Sequence, residues 1–302
     1  MDIKVERIEG RINTFPTKVH TMFAHAACSR VMASVVLVLC AAIGSLELGC
    51  NNSSDASGAD YMGQLNVRLV DATAGFDQMN LVIRKIEIHR TNSGQDVGWR
   101  IVTDQLKSYD VLRLTNGRSD TIVFKDVPMG DYDQIRILFG ISTLVINGAQ
   151  LTIQIPIAIA DGYIINYAFH VDEGLQYQLY LDIDASRSVK SVSSTTYNLT
   201  PAIRAQSALL SGSVSGAVVG VGADSLGVAA SIETSTSGGT AATLSDPASG
   251  GSFQLVALPE GAYNLHIMAG DTLKYFDTTF VGINVVRQKD NGIVGVVRLR
   301  HR

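Results

Sequence analysis

The amino-acid sequence predicts an all-β protein, two tandem antiparallel β-sandwiches behind an N-terminal export signal. Three observations carry that reading. Apolar and polar residues alternate along many short runs, the period of a half-buried strand, and no run shows the 3.6-residue period of an amphipathic helix. The 28 glycines among 302 residues supply turns at short intervals. Finally, Val127-Pro128-Met129-Gly130-Asp131-Tyr132 returns in shorter form as Leu258-Pro259-Glu260-Gly261-Ala262-Tyr263. In each copy a proline sets φ, a glycine supplies a positive φ and a tyrosine opens an alternating strand. Pro128, Gly130, Tyr132, Pro259, Gly261 and Tyr263 are therefore the expected structural turn residues, one set per sandwich.

Composition narrows the function. With 46% hydrophobic and 17% charged residues the chain has material for two cores. A net charge of -4 without a basic cluster excludes a phosphate-tracking surface for nucleic acid. The three cysteines, Cys28, Cys40 and Cys50, all precede the predicted sandwiches. That placement excludes a disulfide-stapled body and a cysteine-based metal centre within it.

Residues 1–49 are expected to be a signal peptide. Residues 31–46 form an uncharged apolar run after Arg30, shorter than the roughly 20 residues of a membrane span, and no stop-transfer cluster follows. The 30 residues ahead of the run are long for an n-region, and Met22 offers a start that keeps Arg30 as its charge. Gly49-Cys50 after such a run resembles the lipobox of bacterial lipoproteins, in which the cysteine is lipidated and becomes the N-terminus. Glu47 stands where that pattern has an aliphatic residue. The resemblance implies a lipid anchor at Cys50, and Asn51 in place of aspartate implies the outer membrane or cell surface. Each buried CH₂ contributes about 0.8 kcal/mol, so two or three acyl chains hold stably where one does not. Residues 51–60, NNSSDASGAD, are expected to form a flexible tether.

The first sandwich is expected over residues 61–208. Leu65, Val67 and Leu69 alternate with Gln64, Asn66 and Arg68. Along residues 80–90, Val82, Ile86 and Ile88 share one face while Leu81 and Ile83 fall on the other, which places a bulge near Arg84-Lys85. Strands follow at 99–102, 108–114 and 121–127, and the Pro-x-Gly-x-Tyr segment then delivers Ile135, Ile137 and Phe139 to one face. Residues 151–159 alternate strictly, but Pro156 cannot donate to a ladder, so this strand runs along an edge or breaks there. Asn147-Gly148 before it is a hairpin signal. Residues 163–171, 175–183 and 197–205 complete the set.

Four segments resemble the bacterial lipoprotein domain known as domain-of-unknown-function family 4382 (DUF4382). They are residues 63–72, with the pattern G-x-L-x-V-x-L-x-D-A; the strand ending Ile86-Glu87-Ile88-His89-Arg90; Asp110 to Leu114; and Pro128 to Arg136. The resemblance spans residues 61 to 206 and implies an exported, lipid-anchored β-domain with no reaction to carry over.

The second sandwich is expected over residues 209–302. Val214, Val218, Val219, Val228 and Ile232 supply two short strands in a Gly/Ser/Ala/Thr-rich stretch, followed by strands at 252–258, 263–269, 273–286 and 293–300. Residues 251–265, reading G-S-F-x-L-x-x-L-P-x-G-x-Y-x-L, resemble the carboxypeptidase-regulatory-like, transthyretin-type sandwich. That resemblance implies a Greek-key, immunoglobulin- or transthyretin-like fold and an accessory binding or spacing role.

No arrangement points firmly to catalysis. His170-x-x-Glu173 has the spacing of two zinc ligands, but His170 ends a strand and its candidate third ligands, His89 and His266, lie on other strands; a surface turn explains it better, and no metal is assigned. Asp182 and Asp184 share a strand face and read as solvated. Asp126, Asp131 and Asp133 read as turn residues that cap backbone amides. There is no G-x-S-x-G elbow. Trp99, Tyr163, Tyr167, Tyr177 and Tyr180 are candidates for stacking on sugars, though strand tyrosines more often pack half-buried. The expectation is a non-catalytic, cofactor-free, lipid-anchored envelope protein acting as a binding or structural module. It would be held at the membrane through Cys50, with a glycan or a surface protein as ligand and no nucleic acid. The alternative is a carbohydrate-binding or adhesin- or pilus-like surface protein, with a polysaccharide or peptide hydrolase behind it.

Overall fold

The computed structural model describes residues 61–72, 74–220, 230–236, 239–292 and 296–302. The expected signal peptide, Cys50 and the expected tether lie outside the described residues. The chain runs through β1 (Met62–Ala72), β2 (Gln78–Arg90), β3 (Trp99–Thr103), β4 (Lys107–Asp110), β5 (Asp120–Pro128), β6 (Gly130–Phe139), β7 (Ser142–Ile146), β8 (Ala149–Gln154), β9 (Tyr163–Val171), β10 (Gln176–Asp184), β11 (Val189–Ser191), β12 (Tyr197–Leu199) and β13 (Ile203–Ser207). It continues through β14 (Ser211–Val219), β15 (Ala230–Thr236), β16 (Gly239–Leu244), β17 (Ser252–Pro259), β18 (Gly261–Ala269), β19 (Thr278–Val285) and β20 (Val296–Arg298). Among the described residues no helix is long and apolar enough to cross a membrane.

Strands β1 to β13 form two sheets around one apolar core. The smaller has the order β13-β10-β1-β5; the larger has the order β11-β12-β8-β7-β2-β6-β9, with β3 and β4 also pairing with β2. Leu65, Val67 and Leu69 of β1 and Leu179, Leu181 and Ile183 of β10 face inward from the smaller sheet. Ile86, Ile88, Ile135 and Ile137 meet them from the larger, each such side chain contributing about 1.5–3 kcal/mol. Strands β14 to β20 form two further sheets, ordered β17-β14-β20 and β16-β15-β18-β19, around a second core that includes Val214, Phe253, Leu265 and Ile267.

The all-β sandwich class stands, and most pairing is antiparallel. Three pairs are parallel instead: β1 with β10, β8 with β12, and β14 with β20. Local alternation carries the face of a residue but not the direction of a distant partner. Strand β2 contains the expected bulge: its register on β6 shifts between Ile83 and Lys85. Met79, Leu81 and Ile83 point inward before the shift, Ile86 and Ile88 after it. Several expected strands are shorter. The strand read over 108–114 stops at Asp110, and Val111–Arg113 is a 3-10 turn. The run over 151–159 breaks before Pro156, and Ile157, alternating perfectly in sequence, is 94% exposed. Pro201 separates β12 from β13, where a single strand was expected over 197–205. Strand β19 begins only at Thr278, and β20 covers three residues.

The two Pro-x-Gly-x-Tyr segments are corners at which the chain changes sheets. β5 belongs to the smaller sheet of the first sandwich and β6 to the larger; β17 and β18 are likewise in different sheets of the second. Gly130 turns the first corner at φ +131°. The tyrosine then reaches back to close it: Tyr132 Oη donates to the Pro128 carbonyl at 2.7 Å, and Tyr263 Oη to the Pro259 carbonyl at 2.7 Å. Both rings are buried.

Part of the outer face of the smaller sheet, around Val70 and Asp182, is covered by the second sandwich. The backbone N–H of Asn116 donates to Thr243 Oγ1 at 2.6 Å, and Asn116 Nδ2 donates to the Ser252 carbonyl. A void of about 10 Å³ remains where Val70, Leu114 and Asp182 meet Ala241, Thr243 and Gln254. Asp182, expected to be solvated, is instead enclosed here and paired to Arg204 at 2.6 Å. Burial pushes its carboxyl above the usual range, against the pull of Arg204.

Candidate functional site

The bulge in β2 creates the most chemically dense surface of the first sandwich. By slipping one residue it turns Glu87 and His89 outward, onto the face of the larger sheet that β3 and β6 share. Both are nonetheless covered, with exposures of 5% and 2%. Arg136 of β6 donates to Glu87 Oε2 at 2.6 Å, and Lys85 Nζ lies 2.9 Å from Oε1. Burial works against the charge on Glu87, but the hydrogen bonds from Arg136 and Lys85 outweigh it and hold the carboxyl below its ordinary value. The Arg136 guanidinium also lies over the Trp99 ring, 4.0 Å from its centroid.

His89 is bracketed by acceptors. Nδ1 is 2.8 Å from Asp133 Oδ1, while Nε2 is 3.2 Å from the Gly94 carbonyl and 3.0 Å from that of Val97. A neutral imidazole has one donor and one acceptor nitrogen, so only the imidazolium satisfies every contact. Burial lowers its pKa, but Asp133 and the two carbonyls prevail and raise it overall. The ring thereby pins the β2–β3 loop. Trp99 Nε1 secures the same loop by donating to the Gln95 carbonyl at 2.9 Å.

Beside this pinned loop lies a recess of about 460 Å³. It is bordered by Arg90, Ser93, Gly98, Trp99, Arg100, Ile101 and Tyr132, with Arg90, Arg100 and the buried Tyr132 on the core-side face of the strands and Trp99 and Ile101 on the face of Glu87 and His89. Gly98, at φ +87°, lets the loop close, since a Cβ there would stand 2.4 Å from that of Ser93. Arg90 lies 5.9 Å over the Tyr132 ring and against Gly130, where an added Cβ would meet its Nη2 at 2.7 Å. The corner glycine thus leaves room for the guanidinium as well as turning the chain.

The structure distributes the sequence-predicted residues unevenly. Pro128, Gly130 and Tyr132 form the corner beside the recess; Pro259, Gly261 and Tyr263 form its counterpart in the second sandwich. Asp131 and Asp133, read as amide caps, accept from His170 and His89 instead, because the corner aims both at neighbouring strands. His170 faces Asp131 and Asp172, and Glu173 is not among its partners. Among the described residues no group of three or more His, Cys, Asp or Glu gathers as for a metal ion. Tyr167, Phe169 and Tyr177 stack on one another at the core margin, as half-buried strand aromatics do. The linkage of Glu87, His89, Asp133 and Arg136 was not read from the sequence. Its one signal there was the break in alternation at residues 83–86, which shows that the face must switch.

No curated protein matches the chain. Among solved structures it is similar to the minor pilin GBS52 of Streptococcus agalactiae at 15% identity, covering 80% of this chain and 96% of that one, with a TM-score of 0.25. It is similar to the shaft pilin SpaA of Lactobacillus rhamnosus GG at 7% identity, covering 79% and 97%, with a TM-score of 0.23. It is also similar to the Bacillus anthracis TIE protein at 11% identity, covering 80% of this chain but spanning only about a third, 34%, of that one, with a TM-score of 0.23. Residues 62–201, all of the first sandwich up to the break before β13, match the family described as Domain of unknown function (DUF4382).

Proposed function

We propose that the protein is an exported, lipid-anchored module of the cell envelope that binds without catalysing, with Cys50 as the lipidated residue and residues 51–60 as its tether. The observation that carries the reading is the docking of the two sandwiches. Hydrogen bonds from Asn116 to Thr243 and Ser252, with Asp182 enclosed between them, join the two into one body of the kind that presents a surface. The apolar run before Gly49-Cys50 supplies the means of export and attachment. The second sandwich, with its carboxypeptidase-regulatory-like signature, serves as an accessory spacer. An adhesin-like role is favoured over a purely structural one by the recess of about 460 Å³ at the β2–β3 hairpin, which Arg90 and Arg100 border.

Metabolic labelling with a palmitate analogue tests the anchor. Labelling of the wild type and its loss in Cys50→Ser is the expected result. Unlabelled wild-type protein in the soluble fraction would overturn it.

A further inference from the structure

We infer that the end of the first sandwich at which β1 begins, bearing Tyr61, Met62, Met129 and Leu175, rests on the surface of the bilayer, a contact that deepens the envelope-module reading and rests on its anchor at Cys50. Three strand ends meet there. The Met129 N–H donates to the Tyr61 carbonyl at 2.6 Å, the Gly174 N–H to that of Met62 at 2.9 Å, and the Gln64 N–H to that of Leu175 at 2.9 Å. Strand β1 therefore starts between the Pro128–Gly130 corner and the turn that joins β9 to β10. Gly63 marks the last layer of the core on this side, for a Cβ there would stand 2.5 Å from Val171 Cγ1. Tyr61 and Met129 lie one row past it, Leu175 lies beside it at the turn, and Met62 lies on the other face of β1. The four are 59%, 39%, 36% and 60% exposed in chain order, so this end presents apolar surface that the core does not cover.

The chain ahead of the patch decides the occupant. Residues 51–60 alone separate Cys50 from Tyr61, so the two stand at most about 40 Å apart at full extension. Tyr61 belongs to the patch, and this end is therefore the one held toward the acyl chains. Tethering gives an effective concentration in about the millimolar range, so a small apolar surface suffices where free protein would not stay bound. Four side chains are far fewer than the roughly 20–30 residues a side of a stable protein interface. Their chemistry suits a bilayer surface. A tyrosine sits at headgroup level with its ring toward the acyl chains and its hydroxyl toward water, and methionine and leucine add flexible apolar surface. The larger sheet supplies a polar margin at the same end, where His170 Nδ1 lies 2.7 Å from Asp131 Oδ1 and Nε2 lies 3.5 Å from Asp172 Oδ1. Asp131, Asp172 and Glu173 are exposed, which fits the ammonium ends of zwitterionic headgroups and opposes anionic ones.

The test places the acylated protein in phosphatidylcholine vesicles with a nitroxide on Leu175→Cys or, for comparison, on Arg187→Cys. Strand β10 runs nine residues from Gln176 to Asp184, so at about 3.3 Å per residue Arg187 lies roughly 30 Å from the patch. Both positions are exposed, and with Cys50 acylated and the residues before it removed, each label has one thiol to find. The expected result is that a water-soluble nickel reagent collides severalfold less with the Leu175 label than with the Arg187 label, and that Tyr61→Ser with Met129→Ser restores the collisions. Both substitutions fall on exposed side chains, and circular dichroism checks that the fold is retained. Adding phosphatidylglycerol should weaken the protection. Equal collision at the two labels overturns the proposal, as does protection that survives the double substitution or grows with anionic lipid. Wild-type protein that takes up no palmitate analogue would remove the anchor and this contact together, whereas palmitate labelling with a water-exposed Leu175 label removes the contact alone.

Discussion

Gly130 and Gly261 occupy the same place in the same sequence pattern, yet their surroundings set different costs for a side chain. Gly130 sits at φ +131° with the Arg90 guanidinium against it; Gly261, at φ +157°, also holds a conformation that strains a side chain, but a Cβ there would find no atom closer than 3.8 Å. Gly130→Val should therefore cost about 1–3 kcal/mol in urea unfolding, and Gly261→Val clearly less. The tyrosines behave more alike. Tyr132→Phe and Tyr263→Phe each remove the bond to a proline carbonyl and should each cost about 1–2 kcal/mol. His89 contributes a pH dependence whose sign follows from its two sets of acceptors. Its folded pKa is raised above 6.5, so its contribution to stability is complete below that value and is lost as pH rises through the folded one. Glu87, lowered from 4.5, acts oppositely, with stability present above that value and lost as pH falls. Urea midpoints measured from about pH 6 to about pH 9 should decline, and Asp133→Asn should flatten the decline. The corner residues were legible in sequence because proline, glycine and tyrosine act locally. The role of His89 was not, because Asp133 lies 44 positions away.

Among the elements, the bulge of β2 has the widest effect. Removing its extra residue would force either Ile86 and Ile88 out of the core or Glu87 and His89 into it. Deletion of Arg84, an exposed residue, should therefore abolish folding, while Arg84→Ala should be nearly neutral; soluble yield and far-UV circular dichroism separate the two. Period-two alternation located most of the strands in the first sandwich, since a buried face imposes it directly, but not the short β7 and β11. It overran at residues 111–114 and 155–159, where apolar residues keep the pattern while the backbone leaves the sheet. At Pro156 a missing N–H ended the ladder, and Ile157 and Ile159 lie beyond it. Parallel pairing of β1 with β10 left no local trace, because about a hundred residues separate partners such as Val67 and Leu179.

For the molecule as a whole, the interface between the sandwiches decides cooperativity. Thr243 accepts the Asn116 amide, and Arg204 balances the enclosed Asp182 while lowering the pKa that burial raises at Tyr263. The double variant Thr243→Val with Arg204→Ala leaves a buried N–H and a buried carboxylate without partners. Calorimetry should show one thermal transition in the wild type and two in the variant. This interface was hidden from the sequence. Asp182 alternates with Leu181 and Ile183 as a solvated residue would, and what covers it arrives about sixty positions later. The position of β1 carries a mechanical consequence. It lies between β10 and β5, laddered to one from Gln64 to Ala72 and to the other from Met62 to Leu69. A pull on the chain ahead of Met62 runs along the strand axis and loads both ladders in shear, many bonds at once, where an edge strand would peel away one bond at a time. Strand β1 is thus placed to bear tension.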